Sequence, residues 1–279
     1  MPDLTPEAPG ALSPLIRRVV ANNPGLMTGP GTNTYLVGID EVAVIDPGPE
    51  LAKHIDTIVG AAMRERVRWV LLTHTHPDHW PAAAKIKAAT GASIAGYSPF
   101  PKVDEVTLAL DIVLGDGDTV DGTEFRLEAL HTPGHAPNHL CFLLDEERVL
   151  FTGDHVLNGT TTVVNPARGG DMKQYLASLD RLRKLKRLAR ICPGHGDVME
   201  DPDAVLAEYV AHRKLRERQI LKVLKTQPRT IPKIVQTLYT DTPDGLIEMA
   251  QAQVHAHLLK LKAEGKVQGA GAKATWKLA

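Results

Sequence analysis

The chain has 279 residues, of which 43% are hydrophobic and 23% charged, with a formal net charge of −1. These values suit a soluble globular protein with room for one large domain, or one large and one small. No apolar run approaches membrane-spanning length, and two cysteines, Cys141 and Cys192, exclude a disulfide framework.

Both cysteines sit beside apolar residues and read as core positions. Residues 1–14 carry no charged-then-apolar leader and read as a loose start, so a cytoplasmic, reducing setting is expected. The charge is unevenly placed. From His212 to Ala279 there are 13 Lys and Arg against 5 Asp and Glu, so an acidic body precedes a basic end. Such asymmetry marks either a nucleic-acid-facing part or a solvated helix face.

In chain order, Asn33–Val37 and Val42–Asp46 read as a hairpin, closed sharply by Asp46-Pro47-Gly48. A helix is expected from Glu50 to Met63, then a buried strand from Arg68 to Thr73. A second helix is expected over Pro81–Ala89, with proline in its first turn and Gly91 as its stop. Residues 96–117 are loop-rich. Strands are expected over Phe125–Leu130, His139–Leu144, Arg148–Thr152 and Arg190–Cys192, with an amphipathic helix over Asp171–Leu188. Strand and helix alternating in this way argue for stacked α/β layers. Beyond Pro202 three helices are expected, over Ala204–Lys225, Thr230–Tyr239 and Leu246–Glu264, then a β-ribbon from Gly265 through Trp276. Helices followed by a small ribbon are the order of a winged helix-turn-helix. The expected domains are therefore residues 1–203 and 204–279.

The chemistry concentrates in Thr73-His74-Thr75-His76-Pro77-Asp78-His79, directly after the apolar run Trp69–Leu72. Imidazoles and carboxylates are what a zinc-like ion binds, and packing alone does not call for so dense a polar cluster at a strand end. Three further polar residues follow strands, each beside a glycine: His135 in Thr132-Pro133-Gly134-His135, Asp154 in Phe151-Thr152-Gly153-Asp154, and His195 in Pro193-Gly194-His195-Gly196. Together they make seven candidate ligands for two ions. His74, His76 and His135 serve one, Asp78, His79 and His195 the other, and Asp154 stands between them. Asp46 either steadies a ligand imidazole from behind or caps a turn. His139 either meets substrate or packs. His155 is expected to face the core, while His131 and His54 have no special spacing. Thr160–Thr162 reads as a loop that could line the mouth, and His255 and His257 read as surface residues.

This pattern resembles the metallo-β-lactamase-fold hydrolase superfamily, in particular its dinuclear glyoxalase II and RNase Z branches. Asn23-Pro24-Gly25, Gly31-Thr32-Asn33-Thr34-Tyr35-Leu36-Val37-Gly38 and Cys192-Pro193-Gly194-His195-Gly196 resemble the β-lactamase-like protein 2 family, as does the tail from His212-Arg213 to Gly265-Lys266. The resemblance implies an α/β fold, a four-layer αββα sandwich, followed by a small winged helix. It also implies two divalent ions, zinc by expectation, and endoribonuclease activity on single-stranded RNA like that of the family's mitochondrial animal member. Trp80-Pro81-Ala82 departs from the family where two glycines are common, which alters the rim but no ligand. Asp154 stands where the enzymes that name the fold often carry cysteine, so antibiotic hydrolysis is only weakly implied.

The expected nucleophile is a hydroxide held between the ions, with Asp78 orienting it or accepting its proton. Single-stranded RNA is the expected partner, held by the active site and the basic end; no membrane contact is expected, and a homodimer is compatible. The same metals could instead cleave a thioester or lactone. A regulator that binds nucleic acid and keeps its metals for structure is disfavoured, because a purely structural site needs no open coordination position.

Overall fold

The computed structural model describes residues 4–101 and 105–279. Residues 1–3 and 102–104, within the expected loose start and the loop-rich stretch, lie outside the described residues. The chain divides into two compact units. Met1–Thr132, Asn138–Thr161 and Lys186–Pro202 form the first, and Pro133–Pro137, Thr162–Leu185 and Asp203–Ala279 the second.

The first unit holds two sheets. One has seven strands in chain order: β1 (Gly10–Ala11), β2 (Ile16–Val20), β3 (Asn33–Val37), β4 (Glu41–Ile45), β5 (Arg66–Leu71), β6 (Ser93–Gly96) and β7 (Ile112–Val113). Strands β1 to β4 pair antiparallel; β4 to β7 pair parallel. Two of the three parallel crossovers, β4 to β5 and β5 to β6, run through helices, α1 (Ala52–Ala61) and α2 (Ala83–Thr90). The second sheet is ordered β12-β11-β10-β9-β8, from β8 (Thr119–Asp121), β9 (Arg126–His131), β10 (Leu140–Leu144), β11 (Val149–Gly153) and β12 (Arg190–Pro193).

Side-chain alternation assigns the faces. Tyr35, Val37, Ala43, Ile45 and Leu71 of the first sheet pack with Leu127, Leu140, Phe142, Phe151 and Cys192 of the second in one core. Leu36, Val42, Val44 and Val70 face the other way, against Ile58, Ala62, Ala83 and Ile86 of the helical side. Burial on both faces is why these strands read as continuous apolar runs. Each fully buried Val, Leu, Ile or Phe contributes roughly 1.5–3 kcal/mol.

Two expectations about ends are corrected. Pro81 lies outside α2, whose N-cap is Ala82. The N-terminal stretch is tied down: the Glu7 backbone N–H donates to Val20 O at 2.8 Å, and its carboxylate accepts from Asn22 N at 3.0 Å and pairs with His54 Nδ1 at 3.1 Å. A carboxylate 3% exposed must find such partners, and His54 and Asn22 provide them only in the folded chain, with the His54 ring held from its other side by the Thr34 hydroxyl at 3.0 Å.

The second unit contains α3 (Met172–Leu182), α4 (Pro202–Thr226), α5 (Ile231–Leu238), α6 (Ile247–Ala263) and a three-stranded sheet of β13 (Arg229–Thr230), β15 (Thr275–Leu278) and β14 (Val267–Gln268). Asp171 caps α3 by accepting from Gln174 N at 2.9 Å, and the helix ends sooner than its apolar periodicity suggests. Trp276, fully buried, centres a core with Ile220, Leu224, Ile234, Val254 and Leu258. Helix, helix and ribbon form the expected winged helix. His257 is not a surface residue: it is 0% exposed, its Nδ1 is 3.5 Å from Glu217, and burial pushes its pKa down to about 4. Among the described residues no helix is long and apolar enough to cross a membrane.

Candidate metal centre

Strand β4 delivers Asp46 at its end, and the residue takes a left-handed backbone (φ +49°) that aspartate tolerates. Its carboxylate sits behind the histidine motif. Oδ1 accepts from Thr73 N at 2.8 Å; Oδ2 accepts from the Thr73 hydroxyl at 2.7 Å and from His79 Nδ1–H at 2.8 Å. With Nδ1 committed as donor, coordination by His79 falls to Nε2. Asp46 thus holds a ligand candidate from behind, in addition to closing the turn. Thr73 enters this network although nothing marked it beyond its place before His74.

Strand β5 ends at Leu71, and the motif then turns across the sheet edge. His74 Nε2 and His76 Nδ1 stand 3.0 Å apart. Strand β12 ends at Pro193 and carries His195, whose Nδ1–H donates to Gly31 O at 3.1 Å. Its Nε2 lies 3.1 Å from Asp78 Oδ2 and 3.3 Å from Asp154 Oδ1. His79 Nε2 lies 3.4 Å from both of those oxygens. The spacing requires Gly194, because a Cβ there would sit 2.7 Å from Asp154 Oδ1 and 2.9 Å from His79 Cε1.

Two donor sets emerge within the first unit. The donor atoms of His74, His76 and Asp154 lie within 4.8 Å of one another, and so do those of Asp78, His79 and His195. The second set fits a cation on two counts. His79 Nε2 is buried with no hydrogen-bond partner, a costly arrangement without something to meet it. The 3.1–3.4 Å separations of these nitrogens and oxygens also match roughly 3.3–3.5 Å, the spacing of neighbouring ligands on a tetrahedral ion with bonds near 2.0–2.2 Å.

The electrostatics agree. Burial would lower the pKa of His79, but Asp78, Asp154 and Asp46 outweigh it and raise it well above the usual imidazole value. His195 is also raised, with burial opposing Asp154 and Asp78. Burial would raise the Asp78 carboxyl, yet His79 and His195 hold it below the usual carboxylate range. Carboxylates that draw protons onto two imidazoles draw a divalent cation in the same way, and that cation enters by displacing those protons.

His135 lies in the second unit, where its Nδ1–H donates to Val163 O at 2.6 Å. His139 is buried, with Nδ1 2.9 Å from the Thr132 hydroxyl and its ring 5.1 Å from that of His74. It belongs to neither donor set among the described residues. His155 is fully buried, as expected. Burial pushes the Cys192 thiol up to about 12, which suits a core residue and not a nucleophile.

Replacing Asp46 by Asn tests its part. Three hydrogens converge on two anionic oxygens, and an amide offers one neutral acceptor in their place. Metal affinity at the His79 set is expected to fall about ten- to a hundred-fold, measured by chelator competition.

Two sheets sharing one core carry at their strand ends histidines and aspartates that could hold a divalent metal. Residues 27–195 match the metallo-β-lactamase superfamily model and residues 230–276 the β-lactamase-associated winged helix domain. The chain belongs to the metallo-β-lactamase superfamily. It is 34% identical to a β-lactamase-like protein 2 homolog of Caenorhabditis elegans, over 96% of this chain and 91% of that protein. It is also 34% identical to an atrochrysone carboxyl ACP thioesterase of Aspergillus chevalieri, over 92% of this chain and 83% of that one. A metallo-β-lactamase family protein from Thermus thermophilus superposes with a TM-score of 0.80 at 25% identity, covering 96% of this chain and all of that one.

Proposed function

We propose that this chain is a two-zinc hydrolase that cleaves phosphodiester bonds of single-stranded RNA. The observation that carries the two-metal reading is the pair of adjoining donor sets, with Asp154 in one set and 3.3–3.4 Å from the nitrogens of the other. On this reading His74, His76 and His135 would hold one ion and Asp78, His79 and His195 the other, and Asp154 would serve both. When bound, such ions lower the pKa of water towards neutrality and stabilise charge on the attacked group.

The chain's own residues supply the rest. Asp46 and Gly31 fix the imidazoles of His79 and His195 through their Nδ1 protons, so neither ring has to reorient during turnover. Asp78, kept ionised by His79 and His195 and steadied by the Thr32 hydroxyl at 3.3 Å, would orient the attacking water or accept its proton.

The second unit favours a polyanionic substrate. Lys214, Arg218, Lys222 and Lys225 are exposed on α4 at helical spacing, and so form one basic stripe with neighbours about 6 Å apart along the axis. Helix α6, the position that reads grooves in helix-turn-helix proteins, is largely buried, so the reading assigns backbone contacts to α4 instead. A second reading, thioester hydrolysis, is favoured by the Aspergillus relative, and the same two ions would serve it.

A substrate panel on metal-counted protein separates them: single-stranded RNA, a bis-phosphodiester, a thioester, a lactone and a β-lactam. RNA cleavage is expected. Turnover of thioester or lactone with RNA intact rejects the first reading. Changing the four α4 cations to Gln is expected to flatten the log–log salt dependence of RNA binding by roughly 3, at about 0.7 per lost phosphate contact.

A further inference from the structure

We propose that the winged-helix part of this chain frames a metal ligand: Gln253 and Arg213 position His135 through the backbone of Thr162–Val164. The inference rests on the reading of His135 as a ligand and adds the residues that aim it. His135 Nδ1–H donates to the carbonyl of Val163 at 2.6 Å, and since a carbonyl only accepts, this bond sets the tautomer and directs coordination to Nε2. The orientation of the ring is therefore only as firm as the Val163 carbonyl.

Gln253, on α6, brackets that residue on both sides. Its Nε2 donates to Thr162 O at 2.7 Å and its Oε1 accepts from Val164 N at 3.0 Å. Arg213, on α4, donates a second hydrogen to Thr162 O at 2.6 Å, with its guanidinium 5.1 Å from the Tyr175 ring centroid. Gln253 is 6% exposed and Arg213 2%, while Thr162 and Val164 are fully buried, so water does not substitute readily for these bonds. The other end of the ligand loop is held in the same unit. Asp171 N donates to Gly134 O at 2.9 Å and the Ser178 hydroxyl to Pro133 O at 2.8 Å. Gly134 is required there, because a Cβ would sit 2.3 Å from the Tyr175 Cα and its φ is +139°.

Helix α6 thus carries Gln253 to this loop in addition to giving Val254 and Leu258 to the core around Trp276. A helix that packs its Gln253 face onto a ligand-bearing loop is not free to enter a groove. Loss of the winged helix would then lower metal occupancy as well as any substrate contact.

The test uses the full-length chain, stripped of metal and titrated with zinc and with cobalt(II). Gln253→Met keeps the volume and removes both hydrogen bonds. One of the two ions is expected to bind about ten- to a hundred-fold more weakly, with the other unchanged and the cobalt visible bands of the weakened site altered. A role confined to stability would shift the melting temperature and leave both affinities and the cobalt spectrum alone, and that result overturns the inference. His135→Ala is the reference and is expected to lose the same ion outright. If it keeps both ions at full affinity, His135 is not a ligand and the inference falls with that reading. If it loses one while Gln253→Met keeps both, the ligand reading stands and the positioning fails. Should Gln253→Met not fold, Arg213→Met removes one bond to Thr162 O and is expected to weaken the same ion to a smaller degree; unchanged affinity there is equally decisive against the inference.

Discussion

Replacing Asp154 by Ala is expected to abolish hydrolysis, by about a thousand-fold or more, which corresponds to roughly 4 kcal/mol of lost transition-state stabilisation. The size follows from position. Asp154 Oδ1 stands 3.4 Å from His79 Nε2 and 3.3 Å from His195 Nε2, and the residue also belongs to the donor set of His74 and His76. Its removal leaves His79 with one carboxylate fewer to favour a cation, and metal analysis of the variant is expected to show less than the full complement. The fold is expected to survive, because Asp154 lies at a strand end, 9% exposed, and outside the cores that hold the sheets. Circular dichroism and metal content on one preparation, beside the hydrolysis rate, check all three points. Full activity in Asp154→Ala would refute the proposed mechanism.

The second large effect is on stability. Trp276→Ala is expected to destabilise the second unit by about 3–5 kcal/mol, read from urea unfolding of the full chain. Trp276 is the largest fully buried side chain, surrounded by Ile220, Leu224, Ile234, Val254 and Leu258, and its indole N–H donates to Gly271 O at 3.2 Å. Gly269 lies against the indole so closely that a Cβ there would sit 2.4 Å from the ring, so the ribbon is shaped around this one side chain. The change removes packing from α4, α5, α6 and the ribbon together. A loss below about 1 kcal/mol would mean that the unit holds its shape without this centre.

Much of the metal centre is legible in the chain because its signals are local. His74, His76, Asp78 and His79 fall within six residues, and Gly134, Gly153 and Gly194 each precede a further candidate ligand. Asp46 is legible as a strand-ending residue, but its task depends on Thr73 and His79, 27 and 33 residues away in sequence. The burial of His257 is not legible. The helical pattern that places it on α6 does not reveal that Glu217 and Lys260 cover that face. Nor is the anchoring of Glu7 on His54, because composition at a chain start carries no information about a partner 47 residues on.

The sequence by itself determined the class of chemistry. Ligand-type residues at strand ends, beside glycines, are demanded by a metal-binding edge and by little else, since unpaired buried imidazoles and carboxylates are costly. It also determined the α/β class and the winged-helix tail, because apolar runs alternating with helical segments, and then helix, helix and ribbon, follow one another along the chain. Only the tertiary structure decided that His79, His135 and His195 each commit Nδ1 to a supporting hydrogen bond and leave Nε2 as the donor atom for a cation. It alone decided that Gln253, 91 residues from Thr162, shares a hydrogen-bonded frame with His135. Hydrogen bonds of that kind depend on distances of a few tenths of an ångström between segments far apart in sequence, and neither spacing nor composition encodes them.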